Sequence, residues 1–234
     1  NVANATFTGN NAGRNGGAVM LIASAANIYN SDFFNNTAFN GGALYVGGDS
    51  KINYVYLTNF EGNKAIGGYG GAIDWVASSG HIFDSNFTLN SADYGGAVYM
   101  GGNSSNSAIS HVVFNNNSAT YNGGAINWNA TGGNLTHTLF NYNSAGKYGG
   151  ALCRETNATG GFGINCTFEN NHAIAYYGAA QGGALYNNSS NWENGVLYID
   201  GYLIKADSST LPSTYTIKNG TTVIADYAFE YRSA

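Results

Sequence analysis

Three titratable side chains stand at nearly equal intervals near the middle of the chain: Asp84, His111 and His137, spaced 27 and 26 residues apart. A carboxylate and two imidazoles held in one line at strand spacing would make a divalent-metal or acid/base cluster. The same residues are also ordinary occupants of a polar, solvated face, and the neighbouring Val113 and Leu139 would make that face a sticky patch instead. A second line recurs at a similar interval: Met20, Tyr45, Asp74, Tyr99, Asn127, Cys153 and Tyr186. Aromatic rings and amides in a row present a flat amphipathic surface suited to glycan or protein contact. Tyr69, Tyr94, Tyr121 and Tyr148 extend that character, although Tyr also favours strands for its own sake. Ligand binding is therefore expected at Tyr45, Asp74, Tyr99, Asn127, Tyr186, Tyr69, Tyr94 and Tyr148, and metal binding at Asp84, His111 and His137.

Both lines are consequences of an internal repeat. The pattern F-x-x-N-x-A occurs seven times at intervals of 26 to 28 residues, with its aromatic at Phe7, Phe33, Phe60, Phe87, Phe114, Phe140 and Phe168 and its amide at Asn10, Asn36, Asn63, Asn90, Asn117, Asn143 and Asn171. About ten residues after each comes Gly-Gly-Ala and an aliphatic residue, as in Gly70-Gly71-Ala72-Ile73 and Gly95-Gly96-Ala97-Val98. Apolar residues alternate, as in Phe83, Ser85, Phe87, which is a strand period. The reading is an all-β, right-handed parallel β-helix of about seven coils, each with two or three short strands; coils about 4.8 Å apart make a rod about 34 Å long. Counting from the motif Phe, side chains at −4, −2 and 0 should point inward and those at −3 and −1 outward. The −3 column then reads Asn4, Asn30, Leu57, Asp84, His111, His137, Asn165. The Phe residues stack coil on coil, the Asn residues form an amide ladder, and the glycines allow positive φ or close backbone approach.

Composition narrows the function. Only 9% of the 234 residues are charged, against roughly 25% in average soluble proteins. A net charge of −5 leaves no basic stripe for phosphates, so nucleic acid is not expected as a partner. No apolar run approaches the roughly 20 residues of a spanning helix, so no direct membrane insertion is expected, and the start "NVANATF" lacks signal-peptide character. The chain reads as a piece of a larger exported protein. Twelve Asn-x-Ser/Thr sequons, among them Asn4, Asn86, Asn116 and Asn129, suit an extracellular location, although many arise by chance in so Asn-rich a chain. Cys153 is placed outward and Cys166 inward, which argues against a disulfide. After residue 187 the repeat stops. Residues 188–234 read as capping strands or the start of a following β module, from "GVLYIDGYLIKADSS", "STYTIKNG" and "TTVIADYAFEY".

Other chemistries are not indicated. The stretch "FEGNKAIGGYGGAI" fails as a phosphate loop because its letters recur in every coil with no Lys-Ser/Thr after the glycines. Arg154-Glu155 reads as a surface charge pair, and Asp forms no repeated column of the calcium-binding kind. Paired F-x-x-N and G-G-A-[ILV] tetrapeptides resemble the repeats of chlamydial polymorphic outer-membrane proteins and of adhesin-like surface proteins of methanogenic archaea, over residues 1 to about 187. The bias toward Asn, Tyr and Gly is more similar to the archaeal group. What the resemblance implies is a β-helix displayed at the cell surface that adheres to glycans or surface proteins of another cell. The expectation is thus a non-catalytic, monomeric adhesin segment with no cofactor. The alternatives are a polysaccharide-active β-helix enzyme, lyase or glycosidase, and a passive stalk.

Overall fold

The computed structural model describes residues 1–187 apart from 23–24, 49, 51–52, 78, 103, 157, 159–164 and 176–179, and beyond 187 only the backbone of four short strands. One coil shows the plan: Gly80–Phe83, Asn86–Thr88, Ser91–Tyr94 and Val98–Met100 are its four strands in chain order. Each pairs in parallel with its counterpart one coil away, so that Phe87 lies opposite Phe60 and Phe114, and Ile82 opposite Val55 and Ile109. Four sheets result, two with seven strands and two with six. A coil thus has four strands where the sequence suggested two or three, and the seven motif copies close about six turns. In the third sheet the first coil contributes only an isolated bridge, Asn11 to Thr37.

Corners of left-handed backbone separate the strands and reset the alternation. The whole −3 column has positive φ, from Asn4 at 53° through Asp84 at 45°, His111 at 53° and His137 at 48° to Asn165 at 54°. So does the column two residues after the Phe, including Leu89 at 56°, Asn116 at 52° and Tyr142 at 53°. The −3 residues are therefore exposed corners and not outward positions within a strand. Their effect on the preceding strand corrects the register: at −5, Ile28, Val55, Ile82, Ile109 and Leu135 are buried in the core, whereas Tyr29, Tyr56 and Phe83 at −4 turn outward and are half-buried. Asn, Asp and His enter the left-handed region more readily than other side-chain-bearing residues, and they hold six of the seven −3 positions.

Downstream of that corner the expected core forms. The motif Phe rings stack with centroids 4.7–5.1 Å apart and planes within 19° of parallel. Beside them the Asn ladder runs unbroken from Asn10 to Asn171. Asn63 is typical: its backbone N–H and its Nδ2 both donate to Asn90 Oδ1 at 3.0 Å, and Nδ2 also donates to the Phe33 carbonyl at 2.9 Å. Completely buried amides are tolerated because each is satisfied. The Gly pair divides two tasks. The first glycine takes positive φ, 63° at Gly95, while a Cβ on the second, Gly96, would penetrate the Gly124 carbonyl and the Ser118 backbone.

Past residue 187 a separate four-stranded sheet follows. Trp192–Glu193, Val196–Ile199 and Tyr202–Ala206 pair antiparallel in succession, and Val223–Ile224 runs parallel to Tyr202–Ala206. The first of the three expected strand segments is thereby a hairpin. The segment "STYTIKNG" lies outside the described residues.

Candidate binding groove

The fourth strand of each coil, entered from the Gly-Gly-Ala corner, points its aliphatic residue inward and the next residue outward. Met20, Tyr45, Asp74, Tyr99, Asn127, Cys153 and Tyr186 consequently stand side by side in register. The column was expected to be open, yet Asp74 is 2% exposed, Asn127 1% and Cys153 0%. Covering residues come from the loops. The Tyr69 ring lies 4.5 Å from Tyr99 and 5.4 Å from Tyr94, Tyr148 stacks on Tyr186 at 4.4 Å, and Glu155 lies against Asn127 and Cys153. Between them remains a groove of about 350 Å³ lined by Tyr69, Tyr94, Tyr99, Asn122, Asn127, Asn129, Glu155 and Thr156.

One carboxylate oxygen organises this groove. Glu155 Oε1 accepts from Asn122 Nδ2 at 3.0 Å and from Asn127 Nδ2 at 2.9 Å. A carboxylate only accepts, so both amides must turn their nitrogens toward it. The Asn129 side chain in turn hydrogen-bonds the Tyr99 phenol. As a result the Oδ1 atoms of Asn122, Asn127 and Asn129 are buried with no hydrogen-bond partner. Native folds rarely leave such atoms orphaned, and here three belong to residues that line one groove.

Electrostatics agree with that acceptor-rich character. Burial pushes the Asp74 carboxyl up to about 8, and its Oδ1 has no partner. Burial raises the Cys153 thiol, and the Glu155 charge raises it further. The phenols of Tyr94, Tyr99 and Tyr186 are raised first by burial and also by Glu155. No Lys, Arg or His lines the groove.

Of the residues expected to bind ligand, Tyr69, Tyr94, Tyr99 and Asn127 meet in the groove. Tyr45 and Asp74 are column neighbours outside its lining, and Tyr148 and Tyr186 pair with each other. Asn122, Asn129, Glu155 and Thr156 were not anticipated. Reading Arg154-Glu155 as a surface pair hid the role of Glu155. Strand alternation separates the two: Arg154, 3% exposed, faces the core beside Trp128, and burial lowers its pKa to about 10. The residues of the expected metal column, Asp84, His111 and His137, stand at exposed corners. His111 and His137 stack face to face at 4.8 Å with planes 1° apart, so their in-plane lone pairs run side by side without converging. Among the described residues no three His, Cys, Asp or Glu side chains are grouped to hold a metal. The reset alternation also uncovers an aromatic cluster on the first sheet, where Tyr54 stacks on His81 at 5.2 Å and His81 on Phe83 at 5.8 Å.

Three stretches of the chain, residues 111–127, 137–153 and 165–188, match the Chlamydia polymorphic membrane protein repeat. The repeat is of the polymorphic membrane protein type. Each stretch runs through one F-x-x-N and its following Gly-Gly-Ala. The chain is also similar to the Chlamydia pneumoniae protein named "Probable outer membrane protein pmp6", 37% identical over 90 residues, which is 37% of this chain and 7% of that protein. No solved structure matches the chain.

Proposed function

We propose that this chain is a non-catalytic segment of a cell-surface adhesin, whose solenoid positions the Tyr/Asn/Glu groove to contact glycan or protein on another cell. The observation that carries the proposal is the set of three orphaned amide oxygens beside an aromatic-walled groove, within a solenoid whose ladder amides are satisfied. A ligand that draws these side chains outward would complete those hydrogen bonds, and the Tyr rings would supply contact area at low entropic cost. Surface display is supported by the polymorphic membrane protein repeats and by the outer-membrane designation of the chlamydial relative. The further step to an archaeal adhesin rests on amino-acid bias alone. Against hydrolysis, which needs two carboxyl groups flanking one bond, Asp74 is sealed and outside the groove lining, leaving Glu155 as its one carboxylate.

Binding of the fluorescently labelled chain to a glycan array and to candidate cells tests the proposal. Saturable binding that is lost in Tyr94→Ala with no loss of fold is expected. No binding to any surface would make the segment a stalk, and release of oligosaccharides would make it an enzyme.

A further inference from the structure

We propose that the groove receives a primary ammonium group, carried either by a lysine side chain or by an unacetylated amino sugar of the partner. The inference rests on the adhesin reading and specifies the chemistry of its ligand. One bond orients each amide, those of Asn122 and Asn127 to Glu155 and that of Asn129 to Tyr99. Beside the groove these residues hold three unpaired carbonyl oxygens, sealed from solvent, next to a carboxylate, with no cationic side chain in the lining. An alkylammonium carries three N–H donors and no acceptor, which matches three orphaned oxygens. Its charge is complemented by Glu155. Outside the groove the chain already sets an ammonium against an aromatic ring, where Lys147 Nζ lies 4.7 Å from the Tyr148 ring centroid. A bare divalent cation fits less well, because one carboxylate among neutral amides leaves half its charge uncompensated.

The test is calorimetric titration of the intact chain, near neutral pH, with glucosamine, N-acetylglucosamine, a lysine-containing tripeptide and its Nε-acetylated form. At least one free amine should bind, with its acetylated counterpart about tenfold or more weaker. Which amine binds identifies the source, sugar or protein. Glu155→Gln should weaken the interaction by a similar factor; if that variant melts early, the acetylation contrast on the unaltered chain still decides. Equal binding of free and acetylated ligands, or no binding of any of the four, overturns the proposal. Attachment to cells that survives Glu155→Gln in a folded chain also overturns it and leaves the adhesin reading standing, whereas absence of attachment by the unaltered chain defeats that reading itself.

Discussion

Asparagine serves opposite ends on the two sides of this solenoid. Inside, Asn36 to Asn143 are fully buried and each amide is closed by the same amide one coil away. Outside, around the fourth sheet, Asn122, Asn127 and Asn129 are drawn to Glu155 or Tyr99, and their oxygens are left over. The difference lies in repetition. A ladder needs the same residue at the same height in every coil, whereas the outer column changes from Tyr45 to Asp74, Tyr99, Asn127 and Cys153. Broken repetition prevents self-satisfaction and leaves polar atoms that the fold itself does not use.

The frame that both sides share should be the least tolerant of change. Gly96→Ala puts a methyl into the backbone of the next coil and should cost about 4 kcal/mol, read as a lowered urea midpoint; a loss under about 1 kcal/mol would mean that coil spacing adjusts freely. Asn90→Ala should cost about 3 kcal/mol, because it strands two donors of Asn63 and the Phe60 carbonyl in the core.

On the outer side the sign reverses for Asp74. Its carboxyl titrates at about 8 in the fold against 3.8 in the ordinary state. Between those values the unfolded chain binds fewer protons, so rising pH lowers native stability until the native carboxyl also ionises. Asp74→Asn should therefore raise Tm by on the order of 5 °C around pH 8 and hardly at all in acid below the ordinary carboxylate range. A melting series that shows equal effects at both ends would refute the buried, protonated acid.

Leu89 holds positive φ at a corner where it is 56% exposed. Leu89→Asn should stabilise by about 1 kcal/mol in chemical denaturation, since Asn enters that region more easily. Asn127→Ala should change stability least, by about 0.5 kcal/mol or less, since it gives up one bond to Glu155 and removes an already orphaned oxygen. Were Asn127→Ala as damaging as Asn90→Ala in the same denaturation assay, the contrast between the two sides would collapse.

Legibility in the sequence follows the same division. The Phe stack, the Asn ladder and the Gly-Gly corner were readable because each position repeats its residue. The left-handed −3 corner left a signal, its Asn, Asp and His content, but simple alternation carried the inward pattern back through it and put Tyr29, Tyr56 and Phe83 on the wrong side. Glu155 and Asn129 gave no such sign, for neither belongs to a repeated column.

By itself, then, the sequence determined the repeating unit, the all-β parallel solenoid and the chemistry of its interior, since stacked coils translate a local pattern directly into contacts between identical residues. Tertiary structure alone decided which outward residues are covered, how Glu155 turns two amides of the neighbouring coil, and which oxygens remain unused. Those outcomes depend on loops of unequal length meeting across coils, where no period relates one residue to its partner.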